Sequence, residues 1–479
     1  MSNEGRNLTL LTDLYQLTMM NGYLKNGIAE ELATFDMFFR QRGQINYAVS
    51  AGLAQAIEYI ENLHFTEGDL QYLRSLKIFT EDFINYLANF KFTGDIYSVR
   101  EGEIVFPMEP ILIVRAPLIQ AQLIETALLN IINHQTLIAT KASRVNTAAG
   151  EGKVVEFGLR RAQGPDAGIY GSRASVIGGA SGTSNVLAGQ MFDIPVKGTH
   201  SHSWVLSYPT ELDAFNAFAD VYPDTCLLLV DTYDTLRSGV PNAIKVFDRL
   251  KKEGHKPLGI RLDSGDLAYL SKKARKMLDE AGHSDAVIFA SNDIDENLVN
   301  SLNEQGAKID LYGVGTKLIT SDNMPSLGGV YKLAEIVRDG RAVPRIKKSD
   351  SIEKITNPGF KTVYRIYDKE NGKAFADLIA LNGEEIPTPL TLTHETERWK
   401  KTVLSDYDIK CLHVKVFENG KCIYKNPSLK EISQYRKNAL DEFWDEYKRL
   451  TNPHIYKVDL SEGLYELKHS MLLGNGDTQ

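Results

Sequence analysis

The chain has 479 residues, 43% of them apolar and 24% charged, with a formal net charge of −8. That length exceeds what one hydrophobic core usually serves, so two or three structural units are expected. No basic tail or stripe is present, which argues against a nucleic-acid partner. There is neither a basic-then-apolar leader pattern nor an uncharged apolar stretch of about 18 residues, so export and membrane insertion are disfavoured and a cytoplasmic protein is expected.

The first 135 residues mix helices and strands. LLTDLYQLTMMNGYLKNG (10–27) reads as a helix with Thr12 as N-cap and Asp13 in the first turn. ATFDMFFR (33–40) has the aromatic density of a strand, and GLAQAIEYIENL and EGDLQYLRSL read as helices. ILIVRAP (111–117) is strand-like. The 118–150 stretch after it is too long and too helix-favouring for a strand.

From about 154 to 320 a short β-run, a polar or glycine loop and a helix recur. The β-runs are 154–158, 194–199, 226–232, 258–265, 286–291 and 309–316, with helical stretches such as SNVLAGQMF, VPNAIKVFDRLKKEG and DENLVNSLNEQG between them. This alternation predicts a parallel sheet covered on both faces by helices. Polar residues recur at the ends of many successive strands, which favours a barrel over an open sheet with one crevice. After about 330, strand-like YKLAEIV, KTVYRIYD, KAFADLIAL and HVKVFENGKCIY return, divided by turns at DKENGK and ENGK, and a polar helix follows at 428–450. The expected organisation is an N-terminal α/β domain (1–135), an inserted barrel (136–335) and a C-terminal region (336–479) that completes the N-terminal domain.

Chemistry concentrates at the strand-end loops. Arg160 and Arg161 follow Phe157 and Gly158; adjacent guanidiniums on an extended chain point to opposite sides, so one is free for an anionic ligand while the other anchors an acid. GGASGTSNVLAG (178–189) offers Ser181, Thr183 or Ser184 as helix cap, and fits neither the P-loop nor the dinucleotide-binding spacing. His200 and His202 share one face of an extended segment, suiting acid, base or nucleophilic chemistry better than a metal, for which no third local ligand is spaced. Arg261 and Asp263 lie near a strand end with Asp266 in the next turn, and Asp231 and Asp234 end another β-run. Such carboxylates hold Mg²⁺ with a ligand's phosphates or accept a ribose hydroxyl, although Asp266 also suits a helix cap. Gly313, Gly315 and Thr316 form a loop whose amides suit a phosphate. Cys226, Cys411 and Cys422 are scattered; Cys226 reads as a buried thiol, and neither a disulfide nor a zinc site is expected.

In order, TDLYQLTM (12–19), EFGLRRAQG (156–164), GTHSHSW (198–204), IRLDSGDL (260–267) and GVGTKL (313–318) with SLGGVYKL (326–333) closely resemble the nicotinate phosphoribosyltransferase family. The resemblance implies an irregular α/β barrel of the type II phosphoribosyltransferase kind, beside a second α/β domain formed by the N- and C-terminal regions. It implies transfer of a phosphoribosyl group from 5-phosphoribosyl 1-diphosphate to nicotinate, giving nicotinate mononucleotide and diphosphate for NAD biosynthesis. ATP hydrolysis, Mg²⁺ and a homodimer with shared sites come with it. It places Tyr15 and Phe157 on the two faces of the pyridine ring, Arg160 toward the phosphoribosyl substrate, Thr199 and Arg261 on nicotinate, Asp263 near ribose and base, and the Gly313–Thr316 amides on the 5-phosphate. His202, rather than His200, matches the transiently phosphorylated histidine. Related nicotinamide-using enzymes carry an Asp where this chain has Ser184, which favours the carboxylate substrate.

A quinolinate-type phosphoribosyltransferase is the competing enzyme reading, predicting no ATP stimulation and a more basic pocket. A phosphoribosyl-ligand sensor without turnover is the non-enzymatic one. Dimer contacts, metal ligands and binding order are not legible in the sequence.

Overall fold

The apolar runs at the two ends of the chain fold together, and the middle folds by itself. One compact unit comprises Met1–Leu137 and Ser326–Gln479, the other Ile138–Pro325. The computed structural model describes residues 7–40, 46–351 and 354–474.

In the first unit, the strand Leu32–Phe39 lies between two antiparallel neighbours, Leu112–Pro117 and Gly329–Arg338. All its residues after Leu32 are buried, which explains a continuous apolar and aromatic run where a one-sided strand would alternate. The seven-stranded sheet continues through Asp95–Val99 to His413–Glu418 and Lys421–Cys422, so sequence-distant strands are interleaved. A four-stranded sheet is built from Asp408–Cys411, Lys361–Tyr367, Ala374–Leu381 and Lys457–Leu460. Arg365, fully buried between them, donates to Glu103 and to both oxygens of Asp377 at 2.7–2.9 Å.

Two expectations for the first unit need correction. The opening helix is Leu14–Lys25, with Asp13 rather than Thr12 at the N-cap position and no acid in its first turn. Thr12 instead donates to Leu123 O, and Asp13 accepts from Thr126. The 428–450 stretch is not one helix, because Leu429–Asp441 ends and a separate turn, Asp445–Lys448, follows.

In the second unit, five parallel strands follow the order Val154–Glu156, Leu311–Val314, Val287–Ser291, Gly259–Leu262, Leu227–Leu229. Helices Val240–Lys252, Leu267–Glu280 and Glu296–Glu304 each bury one apolar face against the core around Ile260, Ile288 and Val314. Expected strand 194–199 does not form. Pro195 removes a ladder donor, and this segment makes only a parallel bridge, Thr183 to Val196, beside another from Glu156 to Thr183. None of the described helices is long and apolar enough to cross a membrane.

Candidate active site

All five parallel strands of the second unit release their chains at the same end of the sheet, and most of the polar residues singled out above sit there. The first strand ends at Glu156, whose side chain is fully buried. It accepts from Thr183 Oγ at 2.6 Å, from Ser172 Oγ at 2.9 Å and from the Gly158 amide. Burial raises this carboxyl above its ordinary pKa, and the three donors oppose the rise only in part. The anchored turn continues as a 3₁₀ turn, Leu159–Arg161, not the extended segment assumed for the arginine pair. Arg160 and Arg161 are both exposed, and among the described residues neither meets an acid.

Phe157 stacks on Phe289, with centroids 5.4 Å apart and planes 18° apart, and the Arg261 guanidinium lies 5.9 Å from the Phe157 centroid. Gly313 makes this packing possible, since a Cβ there would stand 2.6 and 2.7 Å from the two rings. Gly313 thus lies inside a strand under two aromatic rings. The Gly315 carbonyl accepts from Leu318 and Ile319, starting the short turn Thr316–Ile319, whose first amides have no partner within the turn. Lys317 is held by Asp295 at 2.9 Å.

Arg261, Asp263 and Ser291 form a tight group. Arg261 donates through Nε to Ser291 Oγ at 3.0 Å and through Nη2 to Asp263 Oδ1 at 3.2 Å, while the Ser291 hydroxyl donates to the same Asp263 oxygen. Asp231, on the neighbouring strand end, accepts the Asp263 amide at 2.9 Å and the Ser264 hydroxyl at 2.6 Å. Its other oxygen, Oδ1, is buried without a partner among the described residues. Asp266 caps the helix Leu267–Glu280 through the Tyr269 amide, and Asp234 caps the turn Thr235–Gly239.

The two histidines separate. Ser201 is the N-cap of a short helix, His202–Leu206, so the pair does not share one face of an extended segment. His202 is 41% exposed; its Nδ1 lies 3.1 Å from Thr232 Oγ1 and its Nε2 lies 3.7 Å from Asp263 Oδ2. His200 is buried, with Nε2 accepting the Leu229 amide at 3.2 Å, and its pKa is pushed down to about 4 by burial and by the nearby charges of Arg261 and His202. Thr199 Oγ1 donates to Leu227 O. The cap of the Val186–Phe192 helix is Asn185, not Ser181, Thr183 or Ser184; Asn185 accepts the Ala188 amide at 3.2 Å, and Thr183 is spent on Glu156. Ser184 is half-buried, and its amide donates to Glu156 O at 2.9 Å. Cys226 is buried, its thiol pushed up to about 12 by desolvation, as befits an inert core residue.

Arg261, Asp263, His202 and Phe157 therefore share one end of the second unit's sheet, with the Gly313–Thr316 segment beside Phe157. Tyr15 belongs to the first unit, where the residue is 47% exposed on Leu14–Lys25. Glu156, Thr232 and Ser291 were not singled out from the sequence. Ser291 and Thr232 follow the apolar runs AVIFA and CLLLVD at strand ends, which was the available signal. A lone acid in VVEFG carries none. Among the described residues, no group of three or more His, Cys, Asp or Glu side chains is arranged to hold a metal ion.

Comparison with known proteins reaches both units of the chain. The N-terminal domain of nicotinate phosphoribosyltransferase (NAPRTase) matches residues 10–133, the NAPRTase family matches 152–377, and the family's C-terminal domain matches 360–468. The chain is 51% identical to a nicotinate phosphoribosyltransferase of Bacillus subtilis (strain 168), covering 96% of this chain and 94% of the relative. It is 37% identical to one from Dictyostelium discoideum, covering 97% and 88%. The crystal structure of human nicotinic acid phosphoribosyltransferase superposes with a TM-score of 0.85 at 30% identity, covering 96% of this chain and 99% of that one. With that agreement across both of its units, the chain belongs to the nicotinate phosphoribosyltransferase family of enzymes.

Proposed function

We propose that this enzyme joins nicotinate to 5-phosphoribosyl 1-diphosphate, releasing diphosphate, and that ATP drives the cycle through a transient phosphohistidine at His202. The observation that carries the reading is the convergence of Arg261, Asp263, Ser291, Asp231, Thr232 and His202 on the C-terminal ends of neighbouring parallel strands, the position that serves catalysis in such sheets. The pyridine nitrogen carries its own lone pair, so displacement at the anomeric carbon needs little base catalysis. Orientation and charge stabilisation dominate. Phe157 offers a ring face to the pyridine, Arg261 lies toward its carboxylate, with Thr199 able to add its backbone N–H because its hydroxyl is committed to Leu227 O, Arg160 brings an unpaired cation to phosphate oxygens, and the amides around Gly315 and Thr316 meet the 5-phosphate.

His202 suits phosphoryl transfer from ATP because it is accessible and has both ring nitrogens near oriented oxygen atoms. In that step a ring nitrogen bonds to the terminal phosphorus as the bond to ADP breaks, and later hydrolysis releases phosphate. The added charge changes how the neighbouring arginines hold substrate, which is the differential affinity that energy coupling requires. Mg²⁺ would offset charge on the leaving diphosphate. Asp231, with its unpartnered oxygen, and Asp263 fit the one or two carboxylates such an ion takes beside substrate phosphates.

A homodimer is part of the reading. Leu11, Leu14, Tyr15 and Met19 leave an apolar stripe of the first unit exposed, suited to a second copy that receives Tyr15 at its pyridine site. Ser184 in place of an acid favours nicotinate over nicotinamide, because a carboxylate there would repel the substrate's own.

The test incubates the purified chain and His202→Ala with ATP, Mg²⁺, nicotinate and the ribosyl diphosphate. Acid-labile phosphorylation and ATP stimulation are expected in the parent and lost in the variant. Phosphorylation that persists in His202→Ala removes this assignment, and faster turnover of nicotinamide than nicotinate removes the substrate preference.

A further inference from the structure

The strand Leu227–Leu229 has one neighbour, Gly259–Leu262, and its other edge is met by side chains. Toward the neighbour, Cys226 O accepts from Leu258 and Gly259, and Val230 N donates to Arg261 O at 3.1 Å. Backbone groups alternate in direction along a strand, so Leu227 O and Leu229 N face the open edge. In a parallel ladder, one partner residue opposite Leu228 would donate to the first and accept from the second. Here Thr199 Oγ1 donates to Leu227 O, and His200 Nε2 accepts from Leu229 N at 3.2 Å. The same segment is bridged at Val196 to Thr183, and Thr183 to Glu156, the end of the strand at the opposite edge of the sheet.

We propose that the Thr199 and His200 side chains take the place of an absent strand at this edge, and that His200 is a positioning residue for His202. The substitution requires a lone pair on Nε2, which puts the ring proton on Nδ1, 3.3 Å from Ser201 O. Phe218 and Phe215 flank the ring at 4.8 and 6.2 Å and fix its plane. Two residues on, the chain enters the helical turn that sets His202 beside Thr232, itself just past the same strand. The Leu229 amide thus sets the height of the His202 ring above the sheet. The proposal rests on His202 being the reacting histidine.

The test compares His200→Gln, which puts an amide oxygen near the former Nε2, with His200→Phe, which keeps the ring but leaves the Leu229 amide without an acceptor. The expected result is kcat within about threefold of the parent for the glutamine, and at least about tenfold lower for the phenylalanine, with KM for nicotinate changed by less than about threefold. Thermal midpoints identify folded variants. A folded phenylalanine variant with parental kcat, or a glutamine variant as slow as the phenylalanine one, overturns the proposal. Should the phenylalanine variant not fold, nitrogen NMR of the parent with labelled histidine decides. A proton on Nδ1 and a bare Nε2 at His200 support the edge contact, and the reverse tautomer overturns it. That readout does not depend on turnover, so a parent inactive toward nicotinate would remove the proposed function and leave the edge contact to the spectrum.

Discussion

Asp231 accepts the backbone N–H of Asp263 at 2.9 Å, tying the ends of two neighbouring strands together through a carboxylate. The bond fixes the peptide that carries Asp263, while the second Asp231 oxygen stays uncommitted. Asp231→Asn keeps an acceptor for that amide and loses the charge. It is expected to raise the Mg²⁺ concentration at half-maximal rate by about tenfold, the scale of one lost ligand charge near a hard cation, with an unchanged unfolding midpoint. A Mg²⁺ titration of the rate checks this, and an unmoved titration would separate Asp231 from the metal.

Ser291→Ala removes one hydroxyl that serves both Arg261 and Asp263. Hydrogen bonds to charged groups contribute about 1.5–3 kcal/mol each, so the pair should lose its fixed orientation and kcat/KM for nicotinate should fall by about tenfold or more. Steady-state kinetics against Ser264→Ala isolates the effect, since the Ser264 hydroxyl donates to Asp231 and, among the described residues, not to Asp263.

Arg365→Leu leaves Asp377 without its buried cation and leaves Glu103 with Lys410 alone. Stranding buried carboxylates in this way typically costs about 3–5 kcal/mol. Hydrogen exchange should show the loss in strands Lys361–Tyr367 and Ala374–Leu381 and leave Gly259–Leu262 protected as before. Uniform loss in both units would contradict it.

His200 gives stability a direction with pH. Burial and neighbouring cations hold its folded pKa at about 4, against about 6.5 for an unfolded histidine. Between those values the unfolded chain binds a proton that the folded chain does not, so this contribution is complete above about pH 6.5 and is lost as pH falls toward 4, by at most about 3 kcal/mol. Unfolding midpoints at several pH values should drop less steeply in His200→Gln than in the parent. Equal slopes would show that the ring titrates freely.

Much of this architecture was legible in the chain because period and punctuation are local. The runs CLLLV, GIRL, VIFAS and LYGV, each followed by a polar residue or glycine and a helix, announced parallel strands with polar ends, and the cap was one of the two readings open for Asp266. What failed depended on partners far along the chain. Segment 194–199 looks like a strand but forms only a bridge at Val196, and just past it the Thr199 and His200 side chains, not a backbone ladder, meet the edge strand Leu227–Leu229, an outcome nothing local distinguishes. Asn185 takes the cap, while Ser181 donates to Val154 O and Glu156, some 27 positions before Thr183, claims the threonine hydroxyl. Gly313 read as a loop glycine, yet the rings of Phe157 and Phe289 exclude any side chain there. Each miss is a tertiary contact overriding a local preference.

The interleaving of Leu32–Phe39 between Leu112–Pro117 and Gly329–Arg338 has a consequence for biogenesis. A nascent chain carries Ile138–Pro325 as one uninterrupted stretch, able to collapse as soon as it leaves the ribosome. The earlier-made strand must wait, one edge unpaired and apolar, until about 290 further residues have followed it out. Aggregation during synthesis should therefore be governed by that waiting edge, and slower translation of the middle segment should lengthen its exposure.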